Sequence, residues 1–359
     1  MSQADYQLRA WDRIEGVPDP LENRTLVGHA DTLDLLAQHY ASGRMHHAWL
    51  LSGPRGIGKA TLAARFAGHV FRHPSPADAP PTYPTPALDD PVEGRVGRGA
   101  HPNLLLMRRP WNDDGKRWRS ELTVDEIRRT VSFFGTSSGE RGWRVAIVDT
   151  ADDLNPNAAN ALLKVLEEPP PRTLFLVLAH SSRGQMATIR SRCVKISMRP
   201  LTDDQVLEAI GHLGFGNDSE PADRRLAAQL SGGSVRRAIL LLSGNGVDLY
   251  RRFIRLVANA GRPDWGAAHE LAGELAPAAA QDRFRLFIDI AHDYFSRRIR
   301  GEAEPLPQGE AVRQEGISEL ARWVEVWEKT RRSVELADEW NLDRKQVVLN
   351  LFTALREAA

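Results

Sequence analysis

The sequence predicts an α/β domain followed by all-α domains, and three observations carry that prediction. A glycine-rich turn, GPRGIGKA at 53–60, joins a short apolar run to a helical pattern. Further short apolar runs, NLLLM from Asn103, RVAIV from Arg144 and LFLVL from Leu174, alternate with helical patterns. After about Leu201 the strand signals stop and amphipathic patterns continue. Short apolar runs bounded by turn residues suit central strands of a parallel sheet. Their alternation with helices points to a doubly wound arrangement.

Taken in order, His46 to Ser52 (HHAWLLS) reads as a buried strand that ends at the glycine turn. From Lys59, the residues Leu62, Phe66 and Val70 recur at helical spacing. Pro74 to Pro91 carries seven prolines in eighteen residues and reads as a flexible, PPII-rich surface insertion. Helical patterns follow at Val124–Phe134 and Ala158–Leu166. Asp203–Leu213, Pro221–Leu230 and, after the SGGS break, Val235–Leu242 read as a small helical domain. Beyond it Phe284, Phe287, Ile288, Ala291 and Phe295 share one face, as do Leu320, Trp323, Val324 and Trp327. The last helix, Lys345–Glu357, presents Val348, Leu351, Phe352 and Leu355. The expected domains are therefore 1–199, with the insertion at 74–91, then 200–243 and 244–359.

Composition narrows the function classes. With 359 residues and 42% hydrophobic content, the chain can bury more than one core. Lys plus Arg equals Asp plus Glu at 47 each, so any nucleic-acid contact must be local or shared with partner chains. The single cysteine, Cys193, excludes a disulfide framework and a four-cysteine zinc module. The first twenty residues lack the apolar core of a signal peptide, and no run of about 18 apolar residues exists. A soluble, cytoplasmic chain with no membrane partner is expected.

The turn is a phosphate-binding loop by its chemistry. Gly53, Gly56 and Gly58 let the backbone curl around an anion, with Pro54, Arg55 and Ile57 between them. Lys59 reaches terminal phosphates as a point charge, and the helix start favours anions. The competing reading is a glycine turn that binds nothing. Ala60 stands where Ser or Thr would coordinate Mg²⁺. Thr61 is one residue on, a rotation of about 100°, and is a poor substitute. The strand RVAIV ends in Asp149, which would orient the metal unless it merely caps its loop. Thr150 replaces the Glu that would polarise the attacking water. ATP or ADP binding is expected to be weak, Mg²⁺ binding doubtful, zinc absent and intrinsic ATPase small.

The stretch NALLKVLEEPPPRTLFLVLAHSS from Asn160, closing on Ser191–Arg192–Cys193, resembles the sliding-clamp-loader branch of the AAA+ family. LVGH at Leu26–His29 and GRMHHAWLLSGPRGIGKAT strengthen that resemblance, which runs over essentially the whole chain. It implies an AAA+ P-loop parallel α/β sandwich, a small helical lid domain and a C-terminal helical collar domain. The family's ATPase subunits have GKT or GKS, a DE pair and a zinc module, and this chain lacks all three. Its proline-rich insertion stands where the zinc module would be.

The resemblance also implies that Arg192 projects into a neighbour's nucleotide site as an arginine finger; an intramolecular salt bridge is the bland alternative. Arg236 in Gly233–Ser234–Val235–Arg236 corresponds to the lid arginine that senses the γ-phosphate. His180 or Ser181 falls at the sensor position after LFLVL, and Cys193 reads as a small buried residue. Implied partners are clamp-loader ATPase and delta-type subunits in a hetero-oligomer, the sliding clamp indirectly, and primer-template DNA within the complex. Rival readings are an autonomous motor using Thr61 and Asp152, and a scaffold that binds no nucleotide. Arg108, Arg109, Lys116, Arg117 and Arg119, with Trp111 and Trp118, form the most basic local cluster, either DNA-facing or a solvated loop.

Overall fold

The computed structural model describes residues 11–112, 114–135, 142–180, 186–306, 320–340 and 343–358. They divide into two compact units. One comprises Met1–Leu213 with Gly233–Arg236, and the other Gly214–Gly232 with Arg237–Ala359.

The first unit is built on a parallel sheet of β1 (Ala48–Ser52), β2 (Leu104–Met107), β5 (Arg144–Val148), β6 (Thr173–Ala179) and β7 (Val194–Ser197). Their order is β2-β5-β6-β1-β7, so the strand that feeds the glycine turn lies between β6 and β7. Apart from edge strand β7, the strands are apolar on both faces, and the period of two divides their side chains between two cores. Trp49 and Leu51, Val145 and Ile147, and Leu174, Leu176 and Leu178 face one core. That core is closed by α1 (Ala30–Ala41) and α2 (Lys59–Arg72), through Leu36, Tyr40, Leu62, Phe66 and Val70. Leu50, Ala146, Val148, Phe175 and Val177 face the other, under α4 (Val124–Gly135) and α5 (Pro156–Glu167). The α6 turn (Met186–Arg192) adds Ile189, and Cys193 follows it. This is the expected parallel α/β sandwich. Cys193 is buried, and burial pushes its thiol up to about 12, which makes it inert at neutral pH.

The proline-rich segment is not the free PPII loop expected of it. A short turn at Pro76–Asp78 follows α2, and the backbone N–H of Tyr83 donates to Asp34 at 2.8 Å. Pro91 opens α3 (Pro91–Gly97), a position where its missing N–H costs nothing. Asp90 caps this helix by accepting from the N–H groups of Val92 and Glu93 at 2.8 and 3.0 Å. Glu93 then ion-pairs with Arg65 and Arg72 of α2. Leu88, 83% exposed, is the part that stays in solvent. A two-residue hairpin, β3 (Trp111–Asn112) with β4 (Arg117–Trp118), brings the Trp111 and Trp118 rings edge to face. The helix α7 (Asp203–His212) completes this unit, opened by a capping box between Thr202 and Gln205.

The second unit is helical: α8 (Pro221–Leu230), most of α9 (Val235–Ser243), α10 (Gly246–Ala258), α11 (Trp265–Leu275), α12 (Gln281–Arg300), α13 (Leu320–Trp340) and α14 (Arg344–Ala358). Phe253 stands at the middle of its core, with the rings of Tyr294, Phe287, Phe295 and Phe352 at 5.3 to 6.3 Å. The predicted stripes on α12 and α14 are buried. On α13 the buried positions include Trp323, Val326, Thr330 and Ala337, with Trp327 packed against the core. Trp323 is therefore part of this core and Trp327 packs on it.

Candidate functional site: the phosphate loop and its surroundings

The loop runs from the end of β1 into α2, as its sequence requires. Gly56 has φ +80°, and a Cβ there would meet Ser234 Oγ at 2.4 Å and Arg236 Cβ at 2.5 Å. Only glycine fits that position, and the close approach sets Arg236 against the loop. The Arg236 N–H donates to the Gly56 carbonyl at 3.5 Å. His29, before α1, holds the far side through its Nε2 and the Ile57 carbonyl at 2.9 Å.

Lys59 is buried and its Nζ donates to the carbonyls of Gly53 and Pro54 at 2.7 and 2.6 Å. Burial pulls its ammonium down to about 8, opposed by Asp149 and Asp152. It remains mostly charged at neutral pH. Ala60 packs against the apolar core and Thr61 is buried, so neither offers a hydroxyl to a metal. His180, after β6, lies in the field of Lys59. Burial first, and Lys59 next, pull its imidazole down to about 4, and its buried Nδ1 lacks a hydrogen-bond partner. Its backbone N–H donates to Asp152 at 2.6 Å, which commits that carboxylate to the loop rather than to a metal. Ser181 lies outside the described residues.

Asp149 directly follows β5, and its carboxylate accepts from Arg108 Nε at 3.1 Å. Arg108 in turn donates twice to Asp19, at 2.7 and 3.0 Å. Burial raises the Asp149 carboxyl and Arg108 pulls it back, with the net shift upward. Arg108 is itself buried, but Asp19 and Asp149 outweigh that burial and keep it charged. The basic cluster read from sequence therefore divides. Arg108 is buried in these pairs and Arg109 grips Asp153 at 2.6 Å, whereas Lys116, Arg117 and Arg119 are exposed.

The surroundings fit an anion and do not fit the usual metal. The loop, Lys59, Arg55, Arg236 and the unpartnered His180 Nδ1 are suited to phosphate oxygens. The Mg²⁺ ligands are the poorer part: a methyl at Ala60 and an Asp149 already claimed by a guanidinium. Among the described residues no group of three or more His, Cys, Asp and Glu side chains could hold a metal.

Arg192 is not part of this constellation. It ends α6, and its Nε donates to Glu167 at 2.8 Å, with Nη1 on the Thr188 carbonyl and Ser191 Oγ. Its side chain is 35% exposed and that of Glu167 48%. The contacts of Trp11, Asp12, Asp19 and Arg108 have no local sequence signal. They join residues far apart along the chain, Asp12 with Arg236 and Asp19 with Arg108 among them.

Residues 28–202 match the family described as DNA polymerase III, delta subunit. That match, and relatives named as DNA polymerase III delta' and gamma subunits, are consistent with a clamp-loader subunit. Among the clamp-loader relatives, the DNA polymerase III subunit delta' of Pseudomonas aeruginosa is 32% identical over 202 residues, 56% of this chain and 57% of that protein. The subunit gamma of Buchnera aphidicola is 25% identical over 225 residues, 62% of this chain and 58% of that one. The chain thus spans less than two-thirds of the length of these relatives. A DNA polymerase III gamma subunit-related protein from Thermotoga maritima aligns with TM-score 0.43 at 18% identity, covering 92% of this chain and 99% of that one. Among the described residues no helix is long and apolar enough to cross a membrane.

Proposed function

We propose that this chain acts as a delta-prime-type clamp-loader stator. It takes one place in a cytoplasmic hetero-oligomer, turns over little ATP itself, and supplies Arg192 to the nucleotide site of a neighbouring ATPase subunit. In that assembly it helps load the sliding clamp on primed DNA. Three parts were expected from the resemblance: a lid at 200–243, a collar at 244–359 and a nucleotide domain before them.

The observation that carries the reading is the state of Asp149. The residue that would orient a metal and its water is paired with Arg108, and Ala60 supplies no second ligand. Without a positioned metal and water, phosphoryl transfer in this chain's own site lacks its two main contributions. The loop remains suited to a weakly held nucleotide.

Arg192 meets the requirements of a finger. It ends a helix, half exposed, and its pair with Glu167 is a surface ion pair worth about 0–1 kcal/mol. A neighbour's triphosphate offers more charge to a planar guanidinium than one carboxylate does. Steady-state ATPase of the isolated chain is expected at background, and robust turnover would sink the stator reading. With the ATPase subunits added, Arg192→Ala should cut the DNA-stimulated rate at the site it serves by about 10³-fold. Assembly should survive, as judged by co-elution. Arg192→Lys should not restore the rate, because an ammonium cannot replace the fork. Full activity in the Ala variant would make Arg192 structural.

A further inference from the structure

Four cations around the loop already have anionic or aromatic partners from one short segment, residues 11–19. Asp12 hydrogen-bonds Arg55 of the loop, and its Oδ2 lies 3.6 Å from Arg236 Nη1. The Trp11 ring takes the Arg109 guanidinium at 4.0 Å and that of Arg55 at 4.7 Å. Asp19 holds Arg108 with two hydrogen bonds, and Arg108 holds Asp149. Arg55 and Arg236 are the guanidiniums a bound phosphate chain would use, beside Lys59.

We infer that this segment is an internal strap across the phosphate cradle, with the Asp12 carboxylate competing for the cations that a nucleoside di- or triphosphate would bind. A carboxylate and a phosphate oxygen make the same kind of bond to a guanidinium, so the two cannot share Arg55 and Arg236 without loss. Burial opposes the charge on Asp12, but Arg236 and Arg55 outweigh it, and its carboxyl is held below the ordinary range. The strap is therefore anionic at neutral pH. The Trp11 ring lies over two cations, where it adds cation–π attraction. Through Asp19 and Arg108 the same segment ties up Asp149, so anion exclusion and loss of the metal-orienting acid have one origin.

The inference rests on the reading of the loop as an anion cradle, and the test separates the two. ADP and pyrophosphate binding to the full chain would be measured by calorimetry for wild type, Asp12→Asn, Asp12→Glu and Asp12→Asn combined with Lys59→Met. If the strap closes the site about nine-tenths of the time, freeing it tightens ADP binding about tenfold. Asp12→Asn should gain that factor, Asp12→Glu should stay within twofold of wild type, and Lys59→Met should abolish the gain. Pyrophosphate should follow the same order, because the competition is for phosphate and not for the base.

In wild type, saturating ADP should also speed amide hydrogen exchange over residues 11–20, a readout that survives if a variant folds poorly. Equal ADP affinity in wild type and Asp12→Asn, with no exchange change, would overturn the strap and leave the cradle standing. No binding of ADP or pyrophosphate to any variant at millimolar concentration would overturn the cradle, and the strap with it.

Discussion

His69 lies in α2 with its ring fully buried among Tyr40, Phe66, His73 and Tyr83, and neither ring nitrogen has a hydrogen-bond partner. Burial, then the neighbouring His73 and Arg72, pull its imidazole down to about 4. Above pH 6.5 the ring is neutral in both folded and unfolded chains and adds no pH dependence. Between 6.5 and about 4 the unfolded chain takes up a proton that the folded chain refuses, so stability falls as pH falls. The full span is on the order of 3 kcal/mol. His69→Leu keeps a comparable apolar volume and cannot titrate. Urea unfolding at pH 7 and pH 4.5 should find the variant gaining on wild type as the pH drops. A constant difference between the two would rule this out. The residues of the loop were legible from sequence because their determinants are local: glycines, a lysine and a helix start within eight positions. Asp12, Asp19 and Arg108 were not, since each is defined by a partner far along the chain.

Helix α3 illustrates the same limit among the elements. Its seven residues, PVEGRVG, have no stripe that predicts docking, and the preceding prolines suggest a loose surface segment. What holds it is Glu93, whose side chain is 1% exposed between Arg65, 3% exposed, and Arg72, 14% exposed. Buried ion pairs rarely add much net stability, yet removing one partner leaves a charge without compensation, at about 3–5 kcal/mol. Glu93→Gln is therefore expected to lower the thermal midpoint strongly and to raise protease cleavage within 74–98. An unchanged midpoint would place the anchor elsewhere, in Tyr83 or Asp90. The strands follow the same logic. Those with two buried faces stand out as apolar runs, whereas edge strand β7 buries only Ile196 of VKIS and leaves no run to read. Helices α12 and α14 were legible because each lays a broad apolar face on one core.

At the scale of the molecule, the chain leaves the first unit at Leu213, returns for Gly233–Arg236 and leaves again. That brief return supplies Arg236 to the loop, so the site depends on a segment far from it in sequence. Gly233 makes the return feasible. Its φ is +79°, and a Cβ there would meet the backbone oxygen and nitrogen of Leu201 at 2.5 and 2.6 Å. Leu201 N–H also donates to the Gly233 carbonyl at 3.3 Å. Backbone atoms cannot swing aside as a side chain would, and the positive φ adds strain of about 1–2 kcal/mol. Gly273, inside α11 of the second unit, is the opposite case: an added Cβ meets nothing within 4 Å. Alanine there should gain about 1 kcal/mol of helix propensity. Scanning calorimetry of Gly233→Ala and Gly273→Ala should therefore move the unfolding midpoint in opposite directions, down for the first and up for the second. Gly233→Ala should also weaken any ADP binding, because Arg236 is displaced with the segment, whereas Gly273→Ala should leave it unchanged. If both variants melt alike and bind alike, Gly233–Arg236 is not the element that completes the loop.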